Sequence, residues 1–366
     1  MRILYCIEAF WPHIGGAEVL ASRFLPAMQD RGHDFLVVTS HIGSHQPDES
    51  IYHGIPVHRF SFHRVLADRD MGRLVAVRER LASIRREFRP HLVHMNSLSA
   101  DAFFHLRTMS AFPAPLVVTV HGLPLVSLSG GNNLVTSTVQ AANWVACVSK
   151  AVRGEVCRLV PELASRSSVI YNGLQMPSLL PAALCFDRPR LLCLGRFFPH
   201  KGFDLALAAF AGVLQRFPDA VLVLAGDGPA RFDLEQAASE LGVEGAVEFV
   251  GAVAPEQVPE ILNTATLVVM PSRREPFGLV ALQAAQMARP VVAARVGGLP
   301  EVVVHDVTGL LVEPEHSAAL TEAICFLLEH PGRAVAMGRA ARRRARQNFA
   351  WTRLVDAYDA VYQRIA

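Results

Sequence analysis

The sequence predicts an α/β protein of two Rossmann-like domains, each a doubly wound parallel sheet, that face a central cleft. Short apolar runs alternate with helical patterns along the 366 residues, which is typical of such sheets. The runs are continuous rather than alternating, as in parallel strands buried on both faces. A proline-containing stretch without periodicity, 172–190, divides them into two series. We therefore expect a ligand in the cleft between two domains.

The predicted strands fall into two groups. Those of the first series are 2–7, 35–39, 116–121, 144–149 and 168–171. Those of the second are 190–195, 220–226, 247–251, 266–270, 290–294 and 309–313. Between the first two strands of the second series, apolar residues recur at alternating spacings of four and three, which predicts a helix with one apolar face. These residues are Phe203, Leu207, Phe210, Leu214 and Phe217.

Composition and charge exclude several classes of protein. The formal net charge of +2 is too small to indicate nucleic acid as a partner. No apolar run reaches the ~18–20 residues that span a bilayer, and the N-terminus lacks the layout of an export signal, so we expect a cytoplasmic protein. The six cysteines form no CxxC pair, which indicates buried free thiols rather than disulfides or zinc. Asp227 has no second carboxylate at metal spacing, so no metal site is expected.

A glycine pair, Gly15 and Gly16, follows the first strand and opens a predicted helix. Glycine lets backbone approach a ligand closely, and a helix N-terminus offers unpaired N–H groups to an anion. The segment does not match GxGxxG, and neither that fingerprint, a Walker loop nor an HExxH motif occurs in the chain. A tight strand-to-helix turn without a ligand is the alternative.

Two cations stand in one short loop of the second series. Arg196 comes directly after the strand 190–195, and Lys201 follows five residues later, before the next helix. Loops at the carboxyl ends of parallel strands are where doubly wound sheets bind ligands. Two cations there suit a diphosphate better than a single carboxylate, and a solvated basic loop is the alternative.

A carboxylate, Glu275, precedes a helix predicted to begin near Phe277. The N–H groups around Gly278 and Leu279 would then form another anion site. Glu275 either complements the helix dipole, worth ~0.3–1 kcal/mol, or points sideways to accept hydrogen bonds from hydroxyls if phosphate binds at the helix end. The sequence leaves both roles open.

Three further features have two interpretations each. His121 ends the strand 116–121 on the cleft side, and a lone histidine is more often a hydrogen-bonded core residue than a catalyst. The segments 78–89 and 339–347 are predicted helices with arginine-rich faces. We expect these faces to be solvated, and peripheral contact with anionic lipid at the inner face of the membrane is the alternative.

Taken in order, these motifs resemble those of the retaining glycosyltransferases of family 4, which have the two-domain GT-B fold. The resemblance covers essentially the whole chain. Besides the glycine pair, the matching segments are "VHG" (120–122), "VSK" (148–150), "VIYNG" (169–173), "LGRFFPHKG" (194–202), "AGDGP" (225–229), "EPFGLV" (275–280), "RVGGLPEVV" (295–303) and "TGLLVEP" (308–314).

The resemblance also implies the domain organisation. It implies an acceptor-side domain over 1–172, a nucleotide-sugar domain over 173–348, and a C-terminal helix at 349–366 that crosses back onto the first domain. The packing face expected for this helix is Phe349, Trp351, Leu354, Tyr358 and Val361.

The resemblance assigns most donor contacts to the second domain. It implies that Arg196 and Lys201 bind the diphosphate and stabilise the charge that grows on the leaving group. The backbone amides of 278–279, at the helix end beside Phe277, are implied to assist in binding the diphosphate. The donor base is expected near Val250, Gly251 and Ala252.

The same resemblance assigns the sugar contacts. Glu275 is the first carboxylate of the family's E-x7-E motif and is implied to accept hydrogen bonds from hydroxyls of the transferred sugar. His121 is implied to approach the sugar or the acceptor from the first domain. Gly16, with its neighbour Gly15, is implied to approach the phosphates of the donor. Where the family has its second Glu, which holds the ribose, this chain has Gln283. An amide keeps one acceptor but loses the charge.

The implied reaction is transfer of a sugar from a UDP- or GDP-linked donor to a hydroxyl, with retention and therefore an α-linkage. Neither a metal nor a bound cofactor is implied, because cations and dipoles replace a divalent ion. The acceptor is a small molecule, a glycan or a lipid-linked sugar, and its contacts are expected around 58–70 and 94–104.

Two alternatives remain. The first alternative to a glycosyltransferase is a non-catalytic nucleotide-sugar binder, as Gln283 allows. The second is an enzyme of the same architecture with another reaction, such as a nucleotide-sugar epimerase. A phosphorylase is disfavoured because it needs a lysine for pyridoxal phosphate, and the only two lysines, Lys150 and Lys201, lie in family motifs.

Overall fold

Two sheets, each flanked by helices, organise the chain. The structure is a computed structural model that describes residues 1–13, 15–42, 46–123 and 133–366. Its contacts divide the chain into two units. The N-terminal unit comprises Met1–Tyr171 and Leu354–Ala366, and the C-terminal unit comprises Asn172–Arg353. The predicted fold class, two α/β units with parallel sheets, is confirmed.

The N-terminal unit is built on an eight-stranded sheet with the order β3-β4-β2-β1-β5-β6-β7-β8. All neighbouring strands are parallel except β3 and β4. In chain order its elements are β1 (Arg2–Ile7), α1 (Gly16–Gln29), β2 (Asp34–Ser40), β3 (Glu49–Tyr52), β4 (Ile55–Phe60), α2 (Phe62–Asp68), α3 (Met71–Phe88), β5 (Leu92–Met95), α4 (Ala100–Thr108), β6 (Leu116–Val120), α5 (Leu134–Ala141), β7 (Trp144–Cys147), α6 (Lys150–Leu159) and β8 (Ser167–Val169).

The C-terminal unit is built on a six-stranded parallel sheet with the order β11-β10-β9-β12-β13-β14. Its elements are β9 (Arg190–Leu194), α7 (Phe203–Arg216), β10 (Val221–Ala225), α8 (Arg231–Glu240), β11 (Val247–Gly251), α9 (Val258–Thr264), β12 (Leu267–Met270), α10 (Leu279–Gln286), β13 (Val291–Ala294), α11 (Leu299–Val302), β14 (Gly309–Val312), α12 (Ser317–Glu329) and α13 (Pro331–Asn348). The strands are buried along almost their whole length, except β11 at the sheet edge, and this accounts for the continuous apolar runs.

The last helix, α14 (Trp351–Ile365), begins in the C-terminal unit and ends in the N-terminal unit. Buried hydrogen bonds hold it there: Tyr362 Oη lies 2.5 Å from His94 Nδ1, and Tyr358 Oη lies 2.8 Å from Thr119 Oγ1. The residues expected on its packing face and just before it are all buried.

Three strands were not predicted. β3 and β4 form an antiparallel hairpin whose turn residues, His53 and Gly54, have φ of 48° and 80°, and both strands mix polar with apolar residues. β5 has only four residues, one of which is His94. Short strands of mixed polarity give no continuous apolar run, which explains their omission.

The arginine-rich helices are less solvated than predicted. Arg85 on α3 is fully buried and its Nη1 lies 3.0 Å from His105 Nδ1. On α13, Arg342 donates to the carbonyl oxygen of Gln286, and Arg344 Nη2 to that of Glu301 at 2.8 Å. These guanidinium groups form hydrogen bonds with a buried histidine or with carbonyl groups near the ends of helices. Part of each basic face therefore stabilises the fold rather than facing solvent.

Candidate active site

The strand order of the C-terminal unit creates a ligand-binding position. β9 and β12 are neighbours, and the chain runs outward from them in opposite directions, to β10 and β11 on one side and to β13 and β14 on the other. Loops that leave such a reversal point diverge and open a crevice at the carboxyl edge of the sheet. Arg196 follows β9 and Glu275 follows β12, so both lie at this edge.

An ion pair joins two of the predicted site residues. Lys201 Nζ donates to Glu275 Oε2 at 2.7 Å, although the residues are 74 positions apart. The Lys201 side chain is 23% exposed and that of Glu275 is 9% exposed. A pair so largely removed from water must be held in a defined geometry, because each charge has lost hydration.

Glycines allow the two loops that carry this pair to pack against their neighbours. Gly202 has φ of 69°, and a Cβ there would lie 2.1 Å from the carbonyl oxygen of Pro271. A Cβ on Gly297 would lie 2.1 Å from the carbonyl oxygen of Glu275, which accepts a hydrogen bond from Gly298 N at 2.9 Å. The backbone around the ion pair therefore requires glycine.

His200 lies among the charged groups of the crevice. Burial lowers its pKa, as do the nearby charges of Lys201, Arg196 and Arg274, while Glu275 opposes the shift. Its imidazole is therefore neutral at pH 7. Sequence reasoning overlooked His200, although its position directly before Lys201 was a usable signal.

Arg196 and Arg273 differ in their surroundings. Arg196 is exposed, and its guanidinium carbon lies 5.2 Å from the centre of the Phe198 ring. Arg273 donates two hydrogen bonds of 2.7 Å to Asp204 and pairs with Glu315 at 2.7 Å. Its pKa is raised, chiefly by the Asp204 hydrogen bonds. Arg273 thus ties its loop to α7, whereas Arg196 presents its charge to solvent.

The start of α10 lies beside the ion pair in sequence. The helix begins at Leu279, two residues later than predicted, because Gly278 has φ of 106°, which is not helical. Among the residues that the structure describes, no side chain caps this end, so its first N–H groups remain donors for an anion. Phe277 is buried with its ring 5.9 Å from that of Phe349.

The ends of β10 and β11 complete the edge. Val250 is 45% exposed, and the carbonyl oxygen of Gly251 accepts a hydrogen bond from Gly226 N at 2.7 Å. A Cβ on Gly226 would lie 1.8 Å from the carbonyl oxygen of Gly195. The loops after β9, β10 and β11 are therefore in contact, with Ala252 on the outermost one and Val250 near the end of β11.

Gln283 and Gln286 lie on the same helix but in different surroundings. Gln283 is partly exposed on α10. Gln286 is buried, and its Nε2 donates to the carbonyl oxygens of Leu174 and Gln175 at 3.2 and 3.1 Å. Gln286 is thus a structural residue, while Gln283 keeps one side towards solvent.

The remaining predicted residues belong to the N-terminal unit. His121 follows β6, and its Nε2 lies 3.1 Å from Asn96 Oδ1, which follows β5. Burial lowers the pKa of His121 to about 4, so the imidazole is neutral at pH 7. Gly15 precedes α1 and Gly16 begins it. The Glu18 carboxylate lies over this helix start, 2.2 Å from where a Gly15 Cβ would stand.

Metal-binding clusters and membrane-spanning helices are both absent from the described ranges. These ranges contain no group of three or more His, Cys, Asp or Glu side chains able to hold a metal ion. No helix in the same ranges is long and apolar enough to cross a membrane. All six cysteines are unpaired; Cys185 is exposed, contrary to expectation, because it lies in the irregular stretch 172–190.

The fold and the crevice together define a glycosyltransferase of the GT-B type. A family model described as "Glycosyl transferases group 1" matches residues 185–344, and one described as "Glycosyltransferase Family 4" matches 14–176. An alpha-maltose-1-phosphate synthase of Mycolicibacterium smegmatis is 32% identical over 314 residues, 75% of this chain and 79% of that protein. The chain belongs to glycosyltransferase family 4.

Two further comparisons extend over nearly the whole chain. A glycogen synthase of Mycobacterium tuberculosis is 29% identical over 396 aligned residues, covering 99% of this chain and 94% of that protein. The crystal structure of HepE from Anabaena in complex with UDP-glucose is 23% identical, has a TM-score of 0.81 and covers 100% of both chains. The latter shows a shared fold.

Gly202→Ala is expected to weaken nucleotide binding at least tenfold and to lower thermal stability. The added Cβ would overlap the carbonyl oxygen of Pro271, so the loop bearing Lys201 must move. Gly245→Ala is the matched control, because no atom of the described ranges lies within 4 Å of its Cβ position. Nucleotide titrations and thermal melts of both variants provide the measurement. Equal behaviour of the two would mean that the position of this loop does not matter.

Proposed function

We propose that the protein transfers a hexosyl group from a nucleotide-diphosphate sugar to an acceptor hydroxyl, with retention, to form an α-glycosidic bond. The observation that carries this proposal is the Lys201–Glu275 pair at the reversal point of the C-terminal sheet, beside Arg196. It supports the proposal because two cations of the kind that stabilise a leaving group lie next to a carboxylate of the kind that accepts hydrogen bonds from sugar hydroxyls. The UDP-glucose bound by HepE is of the donor class we propose.

Arg196, Lys201 and the α10 start have one electrostatic task. As the glycosidic bond breaks, negative charge grows on the diphosphate, and preorganised cations and N–H dipoles stabilise it. Arg196 is exposed towards solvent, and no described side chain caps the α10 start, so both can meet a diphosphate. We infer that these groups replace a divalent metal in that task.

Glu275 and His121 are assigned to hydroxyl groups. Glu275 is anchored by its backbone contact with Gly298, so its carboxylate can accept hydrogen bonds from the transferred sugar without rearrangement. With Asn96 Oδ1 as the acceptor, His121 carries its proton on Nε2 and presents the Nδ1 lone pair. Because the ring is neutral, we assign it a hydrogen-bonding role towards the sugar or the acceptor rather than a charge.

The experiment that tests the proposal is a thermal-shift screen of UDP, GDP, ADP and their sugars. A nucleotide present at about 1,000 times its Kd stabilises the protein by about 4 kcal/mol through mass action. We expect one base to stabilise the protein, and Arg196→Ala to weaken that effect. Stabilisation by none of the nucleotides would overturn the proposal.

Turnover separates this function from its two alternatives. With the base identified, the matching sugar nucleotide is incubated with candidate acceptors, and the product anomer is assigned by NMR. Transfer with an α-linkage is the expected result. A non-catalytic binder would bind the donor without consuming it, and an epimerase would convert the donor without any acceptor.

Gln283→Glu is expected to tighten nucleotide binding about fivefold, because a charged acceptor gains ~1 kcal/mol over a neutral one at a hydroxyl pair. The measurement is a calorimetric titration with the base identified above. Gln347→Glu, an exposed change on α13, is the control and should leave affinity unaltered. Loss of binding in Gln283→Glu would contradict a ribose contact at this position.

A further inference from the structure

Asn96 stands directly after β5 and contacts His121, the histidine assigned to a substrate hydroxyl. It follows Met95, the last residue of β5, and His121 follows Val120, the last residue of β6. The two strands are parallel neighbours, so both residues lie at the carboxyl edge of the N-terminal sheet, where open α/β sheets bind ligands. His121 Nε2 lies 3.1 Å from Asn96 Oδ1. Asn96 is therefore the hydrogen-bond partner of a ring at the ligand-binding edge.

The two strands fix the positions of both side chains. His94 and Thr119 lie two residues earlier on β5 and β6, and His94 Nε2 lies 2.7 Å from Thr119 Oγ1. Alternate residues of a strand point to one face, so the Asn96–His121 contact repeats the earlier contact one step along the same strands. Two tyrosines of α14 in turn hold that earlier contact. Side chains placed by strands and a helix are held more precisely than side chains placed by a loop.

The two partners differ in how accessible they are. Asn96 is 6% exposed, and its backbone N–H donates to the carbonyl oxygen of Cys6 at 2.7 Å. His121 is partly exposed. The ring is therefore the partner that a ligand can reach, while the amide can act only through the ring.

The amide of Asn96 decides which nitrogen of the ring carries the proton. A neutral imidazole has one N–H group, and the hydrogen bond that it makes selects the tautomer. Because Oδ1 can only accept, the proton of His121 lies on Nε2 and the lone pair on Nδ1. Burial keeps this ring neutral, with a pKa of about 4. A carboxylate at position 96 would accept from the same nitrogen, but its charge would favour the cation.

We propose that Asn96 is a positioning residue, which directs the Nδ1 lone pair of His121 to accept a hydrogen bond from a substrate hydroxyl. This role rests on the proposed function, whereas the tautomer is a property of the protein without any ligand. The substrate group that meets His121 is then an O–H donor. The ionised phosphates of a nucleotide sugar offer only acceptors, so His121 is matched to a sugar or acceptor hydroxyl and not to the diphosphate.

The tautomer is measured by NMR of ¹⁵N-histidine-labelled protein at pH 7 without ligand, because protonated and unprotonated ring nitrogens differ in chemical shift. Resonances of His121 are assigned with His121→Gln. We expect the proton on Nε2 in the parent, and a shift towards Nδ1 in Asn96→Leu, which removes the acceptor at similar volume. A parent ring protonated on Nδ1, or the same tautomer in both proteins, would overturn the proposal.

Steady-state kinetics of sugar transfer measure the role in the reaction. Asn96→Leu should lower kcat/KM about tenfold, as expected when a buried N–H group loses its acceptor. Asn143→Ala is the matched control, because Asn143 Oδ1 accepts from Leu116 N at 2.8 Å at the other end of β6. It should lower thermal stability and leave kcat/KM unaltered. An equal loss of kcat/KM in both variants would mean that Asn96 only stabilises the strands.

Asn96→Asp separates the effect of the tautomer from that of charge. Its carboxylate keeps an acceptor for Nε2 and should raise the pKa of His121 by about 1 to 3, as a nearby opposite charge does. As the pH falls, the ring then gains a proton on Nδ1 and loses the lone pair. We expect kcat/KM to equal that of the parent at pH 8 and to fall below it between pH 7 and pH 5. Identical pH profiles would contradict the proposal.

Two features keep these outcomes distinct. His94, whose pKa is lowered to about 3 by burial and by the charge of His121, stays neutral over this pH range and does not contribute to the profile. Absence of transfer by the parent itself would overturn the proposed function. A parent that transfers sugar, with an Asn96→Leu variant that does so equally well, would overturn the role of Asn96 alone.

Discussion

Glu275→Gln is expected to lower the turnover number of sugar transfer at least ~100-fold, as for other preorganised polar contacts that act in the transition state. The amide retains the shape of the side chain but loses its charge, so its oxygen is a weaker acceptor for hydroxyls. It also leaves the largely buried Lys201 without the carboxylate that lies 2.7 Å away. Arg196 and the α10 start are untouched, so nucleotide affinity should change much less than turnover.

The measurement is steady-state kinetics of transfer together with a nucleotide titration. Glu248→Gln is the matched control, because Glu248 forms a two-point ion pair with Arg190 in the same unit, with distances of 3.1 and 2.6 Å. Its turnover should stay within about twofold of the parent. An unchanged turnover in Glu275→Gln would mean that Glu275 only complements the helix dipole at the start of α10.

Acidification from pH 7 to pH 5 is expected to destabilise the N-terminal unit by roughly 4–5 kcal/mol. Burial lowers the pKa of His94 and His105 to about 3 and that of His121 to about 4. The unfolded chain binds protons at these histidines below pH 6.5, while the folded unit does not. Each therefore costs about 2 kcal/mol at pH 5.

Asp101 opposes this trend in part. Burial raises its pKa to about 6, so the folded unit takes up a proton there before the unfolded chain does. The stabilisation regained between pH 7 and pH 5 is about 1 kcal/mol. Three histidines therefore outweigh one carboxyl group, and stability falls as the pH is lowered.

Hydrogen–deuterium exchange at pH 7, 6 and 5, corrected for the intrinsic rates, measures this effect unit by unit. Peptides of β5 and β6 should lose protection, while those of β9 and β12 in the C-terminal unit serve as an internal reference. His105→Gln, which keeps an acceptor for Arg85, should reduce the pH slope by about one proton. Equal loss in both units, or none, would contradict the assignment.

The strands that precede the candidate site residues could be predicted from the sequence. The sequence also predicted that these residues lie at the same carboxyl edge of the sheet. Arg196 and Glu275 each follow a continuous apolar run, and parallel strands place their carboxyl ends together. The contact of Lys201 with Glu275 could not be predicted. It depends on the neighbouring positions of β9 and β12, which are far apart in the chain.

Other features could not be predicted because they depend on contacts between residues that are far apart in the sequence. The hairpin of β3 and β4 has no apolar run, and yet its strands extend the sheet beyond β2. Arg85 stands in an arginine-rich helix that looks uniformly polar, and only the tertiary packing of His105 against it shows that it is buried. The glycines at 202 and 297 were visible in the sequence, but the carbonyl groups they accommodate were not.

The assignment of α14 to the N-terminal unit affects how the protein is made. Between Tyr171 and the returning segment at Leu354, the ribosome adds all of Asn172–Arg353, which takes roughly 10–40 seconds at typical rates of synthesis. During that time His94 and Thr119 lack their tyrosine partners, and an apolar surface around Phe24 stays uncovered. The C-terminal unit, being continuous, can fold as it leaves the ribosome. The unit that is synthesised first is thus completed last, and during that interval it is the part of the nascent chain that a chaperone would need to protect.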